Sequence, residues 1–172
     1  MTETQDEVGV RPLARVRFDK WPNLGRAPVF WLELHADGRA DYEPQSNCDL
    51  QGSFAGTMVP GQWDALQRRI AQGGFDTMKP RYASHATCRS TEFLEIEYID
   101  GQRLVIENYG DAAPDAFRQV RACLGKIITV VRWDRIADRS PPTENDLLRA
   151  RMSAPCECGS GKRHENCCGL IL

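Results

Sequence analysis

Two Asp-Gly dipeptides constrain the fold of this chain of 172 residues more than any other feature of its sequence. Asp37-Gly38 and Asp100-Gly101 each separate two segments rich in branched and aromatic residues. Such a dipeptide favours the tight turn of a β-hairpin, because glycine adopts the positive φ of the turn at no steric cost. Strands joined in this way pair antiparallel, whereas parallel strands need a long crossover connection. The sequence therefore predicts an antiparallel sheet built from hairpins.

The segments around these turns predict the order of the other elements. Alternation with a period of two residues indicates strands, and apolar residues three and four positions apart indicate helices. The predicted strands are residues 13–18, 29–35, 40–42, 93–99 and 103–109, and the predicted helices begin at Pro60 and Pro114. This order favours the α+β class, here an antiparallel sheet of hairpins with two helices on one face.

Two stretches lack a clear period of apolar residues, so they are predicted to be mostly irregular. Separately, the second predicted helix contains a glycine. Residues 47–56 are predicted as a loop that includes an edge strand, and residues 75–91 as the longest irregular loop. Gly125 lies inside the second helix, where glycine costs about 1 kcal/mol relative to alanine. It predicts either a close approach of helix and sheet or a kink.

The net charge and the apolar runs of the sequence indicate which partners and which compartment to expect, and any binding to nucleic acid would have to be local. A net charge of -2 and a pI near 5.9 give no global field that attracts nucleic acid or an anionic membrane. We find no signal-peptide pattern and no run approaching the roughly 18 apolar residues of a membrane span. A cytoplasmic location is therefore predicted, in which clustered cysteines are more often metal ligands than disulfides.

The C-terminal end of the chain carries a cluster of cysteines. Cys156, Cys158, Cys167 and Cys168 form two close pairs within thirteen residues and account for four of the seven cysteines. Zinc takes four tetrahedral ligands and binds thiolate sulfurs at about 2.3 Å, so the two pairs can fill its shell. A filled shell leaves no position for an activated water. The cluster therefore predicts one structural Zn²⁺ per chain and argues against hydrolysis catalysed by the zinc ion.

Alternatives to this ligand set remain open. The cysteines could form disulfides or hold a redox-active or iron-sulfur site, but adjacent Cys167 and Cys168 cannot easily bond each other, and the C-x-x-C of redox motifs is missing. His164 is an alternative fourth ligand. Lys162, Arg163 and His164 lie close enough in sequence to offset the charge of four thiolates around one Zn²⁺. These three are the candidate partner-binding residues.

The spacing C-x-C-x8-C-C, with Gly-Ser-Gly-Lys after the second cysteine and a glycine after the last, closely resembles the SEC-C motif. This motif ends the preprotein translocase ATPase SecA and is appended to many unrelated bacterial proteins. The resemblance implies zinc ligation by Cys156, Cys158, Cys167 and Cys168, and contacts with chaperones or ribosomes. The family usually has an aromatic residue where this chain has His164, which weakens the expectation of an aromatic contact.

The N-terminal part carries a second resemblance. It contains Tyr82 in a loop after the first helix, Asn108-Tyr109-Gly110 at the end of the second hairpin, and Ala113-Pro114 at the start of the second helix. In these features, residues 13–136 resemble a bacterial domain family of unknown function. The resemblance implies a shared fold and carries no activity.

Four regions follow from these patterns. Residues 1–10 are predicted as a flexible tail, and residues 11–139 as the α+β domain of unknown function. Residues 140–154 are a linker marked by Ser140-Pro141-Pro142 with a short helix, and residues 155–172 are the SEC-C zinc knob.

The closed metal site and the absence of a catalytic motif predict a non-enzymatic adaptor, whose knob docks onto a protein partner or a ribosome. A first alternative is nucleic-acid binding by the knob and nearby arginines, among which acidic residues are interspersed. These arginines are Arg135, Arg139, Arg149, Arg151 and Arg163. A second alternative is an enzyme with its site in residues 75–91, where His85 and Cys88 would act as base and nucleophile.

Overall fold

The structure is a computed structural model and describes residues 10–22 and 27–136. The described residues belong to one unit of the chain, Met1–Ala137. Of the predicted N-terminal tail, Val10 alone is described. The predicted linker and short helix at residues 140–154 and the cysteine module at residues 155–172 lie outside the described residues.

Both Asp-Gly dipeptides form hairpin turns of the same kind. Gly38 and Gly101 have φ angles of 89° and 85°. Asp37 and Asp100 each accept a hydrogen bond of 3.0 Å from the backbone N–H two residues later, which ties the turn to the start of the next strand. The local prediction of two hairpins is therefore confirmed, and so is its physical basis in the glycine.

The described residues form eight strands and two helices. The strands are β1 Leu13–Trp21, β2 Val29–His35, β3 Arg39–Ser46, β4 Ser53–Thr57, β5 Arg81–Ala83, β6 Thr91–Tyr98, β7 Arg103–Tyr109 and β8 Arg132–Ile136. The helices are α1 Gln62–Gln72, between β4 and β5, and α2 Asp115–Val130, between β7 and β8. A short 3₁₀ turn, Phe75–Thr77, follows α1. Strands and helices in this order confirm the α+β class.

All eight strands belong to one sheet, in the order β5-β7-β6-β1-β2-β3-β4-β8. Every neighbouring pair is antiparallel except β5 and β7, which are parallel. The long first strand, β1, lies between the two hairpins β2–β3 and β6–β7. Its side chains therefore contact partners from both hairpins.

One face of the sheet forms the hydrophobic core together with both helices. Alternate residues of the central strands point to this face, because successive side chains of a strand alternate. From the strands the core takes Val16, Phe18, Leu32, Leu34, Ala40, Tyr42, Leu94 and Ile96. From the helices it takes Leu66, Ile70, Phe117, Val120, Leu124 and Ile127. The opposite face carries charged residues and is described with the candidate site.

The structure corrects three details of the sequence-based expectations. The segment 75–91 is not irregular throughout, since β5 lies within it and pairs with β7. Strand β4 is not at the edge, because β8 covers its outer side. At Gly125, an added Cβ would meet nothing within 4 Å, so the predicted close approach of helix and sheet is wrong.

Neither described helix combines the length and the apolar character needed to cross a membrane.

Candidate functional site

The residues predicted from the sequence to bind zinc and a partner lie outside the described residues. They are Cys156, Cys158, Lys162, Arg163, His164, Cys167 and Cys168. Their roles stay predictions.

The predicted base and nucleophile lie in the connection between β5 and β6. His85 and Cys88 are both exposed, and Cys88 has a φ of 61°. Within residues 10–22 and 27–136, no hydrogen bond or ion pair involves either side chain. Activation of a thiol requires a base within hydrogen-bond reach, and this pair does not show that geometry.

The sheet face opposite the helices is lined by charged side chains, and we call it the polar face. The strand residues that alternate with the core positions form it. They include Arg15, Arg17, Asp19, Glu33, His35, Asp41, Glu43, Glu95, Glu97, Arg103 and Glu107. Because β1 lies at the centre of the sheet, its two arginines have carboxylates on both sides.

Arg15 joins the two hairpins across the polar face. Its guanidinium donates to Glu33 Oε2 on β2 at 2.8 Å and to Glu97 Oε2 on β6 at 3.0 Å, and it also contacts Glu95. Burial lowers the pKa of Arg15, but the hydrogen bond with Glu97 and the charges of Glu95 and Glu33 outweigh it and raise this pKa. The arginine therefore stays charged and holds three carboxylates in place.

Arg17, two residues further along β1, has its own contacts on the polar face. It donates to the two oxygens of Asp19 at 3.0 and 2.9 Å, and its guanidinium lies 4.9 Å from the centre of the Trp31 ring. Burial raises the pKa of the Asp19 carboxyl, although the hydrogen bond and charge of Arg17 oppose the shift. These contacts fix Arg17 next to Glu33, whose Oε2 is 3.5 Å away.

His35 lies between two carboxylates at one end of the polar face. Its Nε2 is 3.2 Å from Glu33 Oε1 and 3.5 Å from Asp41 Oδ2. One ligand atom from each of the three residues can be chosen so that all lie within 4.8 Å of one another. The Arg39 Nη2 lies 3.3 Å from Nδ1 and 3.1 Å from Nε2 of the same ring. This is the group of described side chains best suited to hold a cation.

Sequence reasoning missed the His35 cluster. Glu33 and His35 are two residues apart on β2 and therefore share a face, while Asp41 is the cross-strand partner of Glu33 on β3. The Asp37-Gly38 turn was the feature that could have revealed the cluster, because the register of a hairpin fixes which residue lies opposite Glu33.

A second polar network, with a buried centre, lies where β6, β7 and α2 meet. Asn108 is fully buried; its Nδ2 donates to Glu92 Oε2 at 3.1 Å, and its Oδ1 accepts from the Ala113 N–H at 2.9 Å. Arg121 of α2 donates to Glu92 at 2.9 Å and to Asp111 at 3.0 Å. Each member contacts protein partners, so the network joins the second hairpin to the start of α2.

A family model described as Domain of unknown function (DUF6438) matches residues 14–128. The match spans 115 of the 172 residues, from β1 into α2, and includes the Asn108 network. It confirms the predicted resemblance of the N-terminal part to a family of unknown function. No curated protein matches the chain. The match ends before the cysteine cluster, so the resemblance to the SEC-C motif stays a prediction.

Proposed function

The chain belongs to the DUF6438 family, and we propose that it is a non-enzymatic zinc-binding adaptor. Its α+β domain carries a C-terminal zinc knob of the SEC-C type, and this knob docks onto a protein partner or a ribosome.

The observation that carries the proposal is the cysteine spacing. Cys156, Cys158, Cys167 and Cys168 supply four thiolates in two close pairs, which is a complete tetrahedral shell for zinc. Such a site organises a short segment that has too few apolar residues for a core of its own. A structural zinc site with cationic residues beside it in the sequence is suited to binding and leaves no position for catalysis at the metal.

The resemblance to the SEC-C motif supports a macromolecular partner. In SecA-like proteins this module contacts chaperones and ribosomes, so a protein surface or a ribosome is the first class to test. Lys162, Arg163 and His164 follow the first cysteine pair and are the proposed contact residues. Cations at this position would favour an acidic surface on the partner.

The domain at residues 10–136 supports a scaffold role by the way its charges are arranged. On the polar face, the guanidinium group of Arg15 is bound by carboxylates of both neighbouring strands. That of Arg17 is bound by Asp19 of its own strand and lies beside Glu33 of β2. Ion pairs of this kind hold the side chains of a surface in one geometry. Such ion pairs are consistent with a rigid domain to which the knob is attached.

The docking test compares two cysteine variants of the full chain. Tagged wild type, Cys167→Ser and Cys88→Ser are used for pull-down from lysate and for co-sedimentation with purified ribosomes. Cys88 is an exposed thiol outside the cluster, so its replacement is the matched control. We expect Cys88→Ser to keep the partners of the wild type and Cys167→Ser to lose them, because the zinc shell is then incomplete.

Partners that are retained equally by both variants would contradict docking through the knob. Partners that disappear after nuclease treatment would favour the nucleic-acid alternative instead. Of the five arginines named for that alternative, Arg135 is the one within residues 10–136, and its guanidinium packs beside Gly52.

A further inference from the structure

We propose that Glu33, His35 and Asp41 form a second metal site, for a divalent first-row transition ion, on the polar face of the sheet. The site is separate in sequence and in ligand chemistry from the cysteine cluster.

The distances between the three side chains fit a shared ion. Two ligands of a tetrahedral ion at about 2.0–2.1 Å are separated by about 3.3–3.4 Å. The observed separations from His35 Nε2 are 3.2 Å to Glu33 Oε1 and 3.5 Å to Asp41 Oδ2. Both lie close to this value, and ligand atoms from all three residues lie within 4.8 Å of one another.

The backbone and the neighbouring arginines orient the ligands. Glu33 and Asp41 are direct cross-strand partners, and the hairpin turn between β2 and β3 fixes their register. Arg15 Nη1 donates to Glu33 Oε2 at 2.8 Å, which leaves Oε1 directed towards the imidazole. Residues that hold the outer oxygen of a ligand in this way typically raise metal affinity, because they fix the orientation of the inner oxygen.

The electrostatics of the cluster also favour a cation. Two carboxylates lie beside the same ring nitrogen of His35, and a divalent ion at that place would offset their negative charge. Arg39 now supplies the positive charge, since its guanidinium contacts the ring and lies 3.6 Å from Asp41 Oδ2. The side chain of Arg39 is 57% exposed, so it can move into solvent when an ion enters.

The ligand set selects a class of metal. One imidazole and two carboxylates suit Mn²⁺, Fe²⁺ and Zn²⁺, whereas thiolates select zinc over manganese. Three protein ligands leave further positions for water. Side-chain exposures of 16% for His35, 18% for Glu33 and 14% for Asp41 leave part of each ligand in contact with solvent. Mn²⁺ is therefore the probe that distinguishes this site from the cysteine cluster.

The test titrates Mn²⁺ into the full chain loaded with one equivalent of Zn²⁺, which the thiolates take in preference, and follows the electron paramagnetic resonance signal of free Mn²⁺. We expect the wild type to bind one Mn²⁺ per chain. His35→Gln and Asp41→Asn each remove a ligand and should weaken binding by at least about tenfold. Glu97→Gln is the matched control, because Glu97 binds Arg15 on the same face but is not a ligand.

Arg39→Gln separates a metal site from a structural ion-pair network. Removal of the competing guanidinium should tighten Mn²⁺ binding, whereas a structural role predicts no gain. The proposal is overturned if the wild type leaves the signal of free Mn²⁺ unchanged, if His35→Gln and Glu97→Gln bind alike, or if Arg39→Gln binds more weakly. Circular dichroism of each variant checks the fold. If a ligand variant unfolds, the Mn²⁺ affinity of Arg39→Gln relative to the wild type tests the proposal instead.

Discussion

At the scale of single residues, Asn108 shows how one buried amide joins two elements. Its side chain satisfies the Glu92 carboxylate on β6 and the backbone N–H of Ala113 just before α2. A buried polar group that loses its partner costs about 1–3 kcal/mol. The Asn-Tyr-Gly motif, seen in the sequence as part of a family resemblance, therefore has a structural explanation in this contact.

Asn108→Ala should lower the free energy of unfolding by about 2–3 kcal/mol, because it leaves the Ala113 N–H and part of the Glu92 carboxylate without a partner. Urea denaturation of purified protein measures the change. Gln72→Ala is the control, since Gln72 is an exposed residue at the end of α1 and its loss should be close to neutral. Equal stabilities of the two variants would show that the Asn108 contacts contribute nothing.

The charged residues of the polar face illustrate what a sequence hides at this scale. Glu33, His35 and Asp41 are each unremarkable in a strand that alternates apolar and polar positions. Their proximity depends on the hairpin register and on the side-chain rotamers, neither of which a period of two residues reveals. The cysteine cluster differs because its four predicted ligands are close in the sequence, so spacing alone predicts their chemistry.

Among the strands and helices, those that were predicted have short-range sequence patterns that indicate them. The two hairpins have Asp-Gly turns, and α2 follows Pro114 with a continuous apolar stripe. Strand β5 has three residues, which is too short for any period to be visible. Strand β8 follows α2 directly and pairs with β4, which lies far from it in the sequence. Such pairings are set by long-range packing.

Alanine substitutions at Gly56 and Gly125 test the packing of β4 and of α2, and we expect them to change the stability of the domain in opposite directions. At Gly56 on β4, an added Cβ would lie 2.5 Å from Val131 Cγ1 and 2.8 Å from the Arg132 carbonyl oxygen. Gly56→Ala should therefore destabilise the domain by about 1–3 kcal/mol, because the pairing of β4 with β8 must shift. Gly125→Ala should stabilise it by about 0.5–1 kcal/mol, since the new methyl group has open space inside a helix.

Thermal unfolding of both glycine variants beside the wild type measures the two effects. A stable Gly56→Ala variant would mean that β8 does not pack against β4 as described. A destabilised Gly125→Ala variant would restore the predicted close approach of α2 to the sheet.

For the molecule as a whole, we propose two metal sites of different chemistry on one chain. The cysteine cluster would hold zinc in a closed shell and organise a docking surface. The cluster of Glu33, His35 and Asp41 would hold a harder ion on a rigid sheet, with positions left for water. The family match covers the domain that carries the second site and ends before the first.

The adaptor function depends on the zinc knob, which X-ray absorption at the zinc edge examines together with elemental analysis of full-length protein purified without added zinc. We expect one zinc per chain with four sulfur neighbours at about 2.3 Å. We also expect loss of this signal in Cys167→Ser and its retention in Cys88→Ser. Protein without zinc, or a first shell of nitrogen and oxygen, would contradict the cysteine site and the adaptor function built on it.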